Sequence, residues 1–222
     1  MKPASFLALC FALSAVLLRE PCQAKPAKSQ LHATLQGNVV RLEPSKFTFR
    51  IPQDWVHWNE SSSKSLHLSR QEIDKVENAE GEWDKPFSQI VNSIFPIERC
   101  AAHVGSEGWG ADAVAFSDVQ MRAYVVASSV TEIEATIKKS GMATASKFSR
   151  KVTLGDSRLA QWRISNLSYE LWYGDYGGTA HIDVYTRMYG KQTIALVFMY
   201  TDYPSDQRDK ITQIVQSFKG NK

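Results

Sequence analysis

Three side chains near the middle of the chain have the chemistry of a nucleophile or of its general base. Ser106 lies in a Gly-Ser-Glu-Gly segment, which matches only part of the spacing of the strained turn that exposes a nucleophilic serine. We therefore interpret this segment as a plain turn. Cys100 and His103 could pair as thiolate and base, but residues three apart on a strand face opposite sides. An unactivated cysteine behaves as a small hydrophobe, so we predict that Cys100 is buried and inert.

Two further polar residues share one face of a predicted strand. His181 and Asp183 are two positions apart, as two metal ligands or a base and its carboxylate partner would be. His57 or His67 could add a third ligand. Because structural zinc takes four ligands, we interpret the pair as strand surface polarity and predict no metal and no cofactor. The alternative is a hydrolase or other enzyme that uses Ser106, the cysteine or this pair.

The most suggestive segment for binding is an aromatic loop that contains three glycines. Trp172, Tyr173 and Tyr176 lie in this loop, and Tyr185 follows on the outward face of the next predicted strand. Glycines give such a loop little side-chain cover, so we expect the rings to face outward. Aromatic rings bury area at low entropic cost, which suits a protein partner or a sugar ring. Alternatively, a helix packs over these rings and makes them part of the core.

Composition and charge exclude several classes of protein. The chain has 222 residues, 43% of them hydrophobic, which is typical of a single globular domain. Its 26 basic and 23 acidic residues give no strong basic field, so we predict no binding to nucleic acid. Cys10 and Cys22 lie in the apolar leader, so a mature chain would keep Cys100 alone and could form no internal disulfide.

The start of the chain has the pattern of a secretory signal peptide. Lys2 precedes an apolar run from Phe6 to Leu18, and Ala24 ends the polar stretch that follows. The run is too short to span a bilayer. We predict cleavage after Ala24, which removes residues 1–24 and gives a secreted or periplasmic protein that is not membrane-spanning. Residues 25–37 are then a flexible lead, and residues 38–222 form one domain.

The strand Phe47 to Ile51 organises the first half of the domain. Phe47, Phe49 and Ile51 alternate with polar residues, as in a strand with one buried face. Pro52 has no N–H to continue a ladder, so the strand should end there. Trp55 can then fold back onto the sheet as a plug. Together with residues 39–42, the strand predicts a short hairpin.

Helices and strands alternate over the rest of the chain. An apolar stripe predicts a helix between Asp84 and Pro96, and a capping box predicts another that starts at Ser129 and ends at a left-handed Gly141. A helix with a thin apolar face is predicted over residues 70–78, and another after Pro204. Predicted strands cover 119–125, 151–154, 158–164, 169–173, 181–189 and 192–200, with turns at Gly155-Asp156 and Gly190-Lys191. This pattern predicts the α+β class, as an α/β/α sandwich with a mostly antiparallel central sheet flanked by helices.

Both ends of the chain resemble one family. The opening Phe-x-Phe-x-Ile-Pro-x-x-Trp, and the closing apolar strand with a helix that ends Ile-Val-Gln-Ser-Phe, are similar to the PsbP-like fold. The extrinsic photosystem II protein, a Ran-binding nuclear-import factor and many small secreted bacterial proteins share that fold. The resemblance implies the fold over about Val39 to Phe218 and carries over no catalytic residue. We therefore expect a secreted, non-enzymatic binding or accessory domain whose partner is a protein or a glycan at the cell envelope or outside the cell.

Overall fold

The computed structural model describes residues 32–53, 55–57, 84–96, 100–106, 119–173, 176–201 and 207–220. The predicted signal peptide, the helix predicted over residues 70–78 and the second half of the turn predicted at residues 105–108 lie outside these residues. The turn is wrong for Gly105 and Ser106, which end a strand. The described part contains two antiparallel sheets and several helices, which confirms the predicted α+β class. None of its helices is long and apolar enough to cross a membrane.

The described residues form ten strands and four α-helices, which one π-helical turn and several loops connect. The strands are β1 (His32–Gln36), β2 (Val39–Glu43), β3 (Phe47–Arg50), β4 (Trp55–His57), β5 (Ala102–Ser106), β6 (Gln120–Val126), β7 (Val152–Leu159), β8 (Trp162–Tyr173), β9 (Tyr176–Tyr189) and β10 (Gln192–Thr201). The helices are α1 (Asp84–Ile94), α2 (Val130–Thr136), α3 (Met142–Ala145) and α4 (Gln207–Gln216).

The smaller sheet has the order β1-β2-β3. The predicted hairpin is confirmed, since β2 and β3 pair with Leu42 opposite Phe47. The flexible lead was predicted to reach residue 37, which is wrong for residues 32–36, because they form β1 and pair with β2. Ala33 is buried but the next residues are exposed, so this edge strand has little apolar pattern to reveal it. The end of the chain joins the sheet as well, where Thr48 and Lys219 exchange backbone hydrogen bonds of 2.9 and 2.7 Å.

The larger sheet has the order β4-β5-β6-β10-β9-β8-β7, with antiparallel pairing throughout. Strand β10 lies at its centre and is buried from Thr193 to Tyr200, so both of its faces are covered. The smaller sheet and α4 cover one face, and α1, α2 and α3 cover the other. Trp55 is buried as predicted, but it starts β4 opposite Ser106 instead of folding back as an isolated plug.

The turn predicted at Gly155-Asp156 is wrong. Strand β7 runs straight through these residues, and Gly155 pairs opposite Asn166 in the ladder with β8. The chain reverses at Ala160 and Gln161 instead, where Ala160 takes a φ of 52°. Glycine favours turns but does not require them. As a result β7 and β8 are each longer than predicted. Residues 158–159 belong to β7, and residues 162–173 form β8 without the break that was predicted between residues 164 and 169.

The described helices agree with the predictions except at one glycine. Both arms of the capping box at Ser129 and Glu132 are present. Gly141, predicted as a left-handed stop, has a φ of −60° and lies in a π-helical turn, residues 137–141, that joins α2 to α3. A Cβ at this position would lie 3.2 Å from Cγ1 of Ile94 in α1. The glycine therefore permits close approach of α1 and does not end the helix.

Candidate functional site

A half-open groove lies on the face of the larger sheet that also carries α4. Its volume is about 470 Å³. Strands β7 to β10 form its floor, and the first half of α4 forms one side. The lining, which we call the polar groove, consists of Thr153, Gly155, Ser157, Ile164, Asn166, Ser168, His181, Asp183, Tyr185, Tyr200, Arg208, Ile211 and Thr212.

Strand register explains why so many polar side chains meet here. Alternate residues of a strand share one face, so residues that pair across four strands form rows. One row is Thr153, Ser168, His181 and Tyr200, and the next is Gly155, Asn166, Asp183 and Phe198. Gly155 keeps the floor of the groove open, because a Cβ placed there would have no closer neighbour than the Cβ of Asn166, at 4.0 Å.

A chain of hydrogen bonds crosses the floor and ends on a carboxylate. The hydroxyl of Ser157 donates to Oδ1 of Asn166 at 3.2 Å, and Nδ2 of Asn166 donates to Oδ1 of Asp183 at 2.8 Å. From the other side, the phenol of Tyr200 donates to Oδ2 of Asp183 at 2.8 Å. Asp183 is 5% exposed and Tyr200 is 4% exposed. A buried carboxylate is costly unless it accepts such bonds, so the chain holds Asp183 in one orientation.

The electrostatics of the groove keep its phenols protonated. Burial raises the pKa of Tyr200, and the charge of Asp183 and the hydrogen bond to it raise that pKa further. Burial and then the charge of Asp183 also raise the pKa of Tyr185. Arg208 acts in the opposite direction on both groups and hydrogen-bonds to the phenol of Tyr200. Both phenols are therefore neutral at physiological pH, and Tyr200 is a hydrogen-bond donor.

The structure changes the predicted binding residues. Tyr185 was predicted to face outward, but it is 7% exposed, because the face of β9 that carries it is covered. Its ring meets Phe198 edge-on, with centroids 5.4 Å apart, so it lines one end of the groove as a core residue. Trp172 and Tyr173 end β8 and Tyr176 begins β9, but their side chains lie outside the described part. Their role in binding stays a prediction.

The His181 and Asp183 pair is brought into the groove. The two side chains share a face as predicted, and the ring of His181 stacks on Tyr200 with centroids 4.9 Å apart. The interpretation of the pair as surface polarity is wrong for Asp183, which is buried. Sequence reasoning missed Asn166 and Tyr200. Alternation along β8 and β10 places each on a face, but their contact with Asp183 depends on the register between strands.

Of the other predicted chemical residues, Cys100 and His103 are described, and neither lines this groove. Cys100 was predicted to be buried, which is wrong for the residue as a whole, because it is exposed. Burial of its thiol nevertheless raises the pKa of that group to about 11, against the opposing effect of the charge of Arg122. The thiol donates to the carbonyl of Ala102 at 3.0 Å. Nε2 of His103 lies 3.2 Å from Oε1 of Gln120. These contacts favour the unreactive cysteine that the sequence predicts. Ser106 ends β5, and its side chain lies outside the described part.

The groove contains a hydroxyl, an imidazole and a carboxylate, which are the components of a serine hydrolase. Ser168 lies opposite His181 in the ladder, and Asp183 is two residues further along. However, the hydroxyl of Ser168 shares a 2.6 Å hydrogen bond with that of Thr153, and both oxygens of Asp183 accept from neutral donors. This arrangement holds side chains in place and favours binding over nucleophilic attack. Among the described residues, no three His, Cys, Asp or Glu side chains form a group that could hold a metal ion.

Comparisons with known proteins give distant similarities. The sequence matches no protein-family model and no curated protein. The solved structure of LpqN from Mycobacterium tuberculosis, described as involved in cell envelope biogenesis, has a TM-score of 0.41 and 9% identity, over 86% of this chain and 90% of that one. A structure from Bacteroides thetaiotaomicron has a TM-score of 0.35 and 10% identity, over 79% of this chain and 45% of that one. Neither similarity is close enough to indicate a function, and the PsbP-like resemblance stays a prediction.

Proposed function

We propose that this protein is a non-enzymatic binding or accessory domain that holds a small polar ligand in the polar groove. The hydrogen-bond chain that ends on Asp183 is the observation that carries this proposal. Its members are fixed before any ligand arrives, so binding would cost little side-chain entropy. A volume of about 470 Å³ suits a small ligand, since pockets for such ligands range from about 300 to 1,000 Å³.

The place of action is part of the proposal. The leader pattern in residues 1–24 supports export, and we propose that the mature chain acts at the cell envelope or outside the cell. Residues 38–222 would then be the binding domain, extended at its start by β1.

A larger partner would contact the protein at one end of the groove. Strands β8 and β9 continue as a ladder beyond Ser168, and their last pair joins Tyr173 to Tyr176. These tyrosines and Trp172 are therefore at the same end of the strand pair as the row that contains His181. We propose that this hairpin end contacts a protein or a glycan chain of which the groove holds one unit.

A substitution that fills the groove tests the proposal. Gly155→Phe would place a ring on the open floor, where the glycine leaves room for a Cβ. Asp156→Phe is the matched control, because the next residue of β7 points to the opposite face and is exposed. The full chain and both variants would be screened by thermal unfolding against a panel of sugars, amines and amino acids. A ligand that binds the native state raises the melting temperature.

We expect at least one ligand class to stabilise the original chain and the Asp156→Phe variant but not Gly155→Phe. The proposal would be overturned if every stabilising ligand acted equally on all three proteins, since the ligand would then bind elsewhere. It would also be overturned if no member of the panel stabilised the original chain.

A further inference from the structure

The direction of the hydrogen bonds restricts what the groove can bind. A carboxylate has about four lone-pair sites, and the bonds from Asn166 and Tyr200 use two of those on Asp183. Ser157, Asn166 and Tyr200 all donate toward the carboxylate, so Asp183 itself can offer a ligand only its remaining acceptor sites. A ligand that completes this network must bring O–H or N–H donors.

Charge favours a neutral ligand over an ion. Asp183 and Arg208 both line the groove, and their formal charges cancel. The two groups shift the pKa of Tyr200 in opposite directions, so both lie near its phenol. His181 adds a third titratable group to the lining. An amine would be attracted by the carboxylate but repelled by the guanidinium, and the reverse holds for an anion, so the two effects oppose each other and neither kind of ion gains much from the groove as a whole.

Hydroxyl groups make up much of the remaining polar lining. Thr153 and Ser168 share a 2.6 Å bond in which either oxygen can be the donor, and Ser157 and Thr212 add two more hydroxyls. A hydroxyl can donate and accept at once, which matches another hydroxyl better than it matches a charged group. The open floor above Gly155 leaves room for a ring between these groups.

We infer that the ligand of the polar groove is a neutral sugar ring whose hydroxyls donate to Asp183. This inference rests on the proposed function and names its ligand class. The carboxylate would take one or two sugar hydroxyls, and the hydroxyls on the lining of β7 and β8 would bond to those that remain.

Calorimetric titration of the full chain tests this inference. The probes are a panel of neutral mono- to tetrasaccharides, built from hexoses, pentoses and N-acetylhexosamines. Spermidine, glucosamine and sugar phosphates serve as charged comparisons. Asp183→Asn keeps the shape of the side chain but replaces one acceptor oxygen with a donor group. Because hydrogen bonds to charged groups are the stronger ones, we expect this variant to bind the sugar at least about 10-fold more weakly. Asp156→Asn removes a carboxylate outside the groove and should bind like the original chain.

The outcomes separate the ligand class from the proposed function. Binding of a neutral saccharide that is lost in Gly155→Phe and weakened in Asp183→Asn would support both. Binding of a charged comparison alone, lost in Gly155→Phe, would overturn the sugar and leave the binding function standing. Failure of every probe to bind, or saccharide binding that Gly155→Phe does not change, would overturn both. If Gly155→Phe does not fold, Thr212→Trp fills the same groove from the side of α4.

Discussion

Removing one hydroxyl should measure how strongly the groove network holds the fold. In Tyr200→Phe the ring and its stacking on His181 remain, while the 2.8 Å bond from the phenol to Asp183 and the hydrogen bond between the phenol and Arg208 are lost. Both residues are at most 5% exposed, so the substitution leaves a largely buried carboxylate with one donor fewer. A hydrogen bond to a charged group contributes about 1.5 to 3 kcal/mol, and we expect the free energy of unfolding at pH 7 to fall by that amount.

Urea denaturation followed by tryptophan fluorescence measures this difference. Tyr189→Phe is the matched control, because Tyr189 lies outside the groove, its ring packs on Phe218, and its loss of a hydroxyl leaves the network intact. That variant should stay within about 0.5 kcal/mol of the original chain. If Tyr200→Phe is no less stable than Tyr189→Phe, the buried bond to Asp183 contributes nothing and the reasoning about a fixed network fails.

Alkaline pH gives a second test of the same bond. The pKa of Tyr200 is raised above its ordinary value of 10.0, so above that pH the folded state binds more protons than the unfolded state. Stability from the neutral phenol is therefore complete below pH 10 and is lost as the pH rises. Tyr200→Phe lacks this group, so its deficit in stability should shrink above pH 10. Tyr185 titrates in the same direction in both proteins and cancels in the comparison. A deficit that stays constant up to pH 11 would contradict the assigned cause.

Three further predictions concern the core, the thiol and the leader. Phe218→Ala should lose about 3 to 5 kcal/mol of unfolding free energy, because four aromatic rings surround Phe218, whereas Met188→Ala, at a 54% exposed position, should change little. Cys100, whose pKa is raised by burial to about 11, should react roughly 10-fold more slowly at pH 8 in the native than in the denatured chain, because its smaller thiolate fraction is partly offset by the higher nucleophilicity of a more basic thiolate. Peptide mass spectrometry follows the labelling, and fast native labelling would contradict the unreactive thiol. The intact mass of the exported protein should correspond to a chain that begins after Ala24, and an uncut chain would refute the predicted cleavage of a signal peptide.

The fold was predictable where the pattern is local. The stripe on α1, the capping box at Ser129 and the hairpin that joins Leu42 to Phe47 each depend on residues within a few positions of one another. The central place of β10 follows from its two apolar faces. The predictions for Gly155 and Gly141 were wrong because a glycine in a sequence can indicate either a turn or a close approach of another segment. Which of the two applies depends on neighbours from other parts of the chain, Asn166 for Gly155 and Ile94 for Gly141.

The candidate site was only partly predictable, for the same reason. Alternation places His181 and Asp183 on one face, but it does not show that Asn166 lies opposite the carboxylate. That register follows from the position of the β8–β9 hairpin, and the contact of Tyr200 follows from the pairing of β9 with β10. Tyr185 was assigned to the surface because the residues near it in the sequence do not indicate that the smaller sheet and α4 cover this face of its strand.

The contact between the smaller sheet and the end of the chain has a consequence for how the protein folds. The backbone N–H of Arg50 donates to the hydroxyl of Ser217 at 2.8 Å, across a separation of 167 residues. Next to this bond, Thr48 and Lys219 complete the sheet. Closing so long a loop is slow and must precede the gain from these contacts. The hairpin of β2 and β3 therefore gains these partners only after residues 217–219 have left the ribosome, and a chain stopped before Ser217 would lack both contacts.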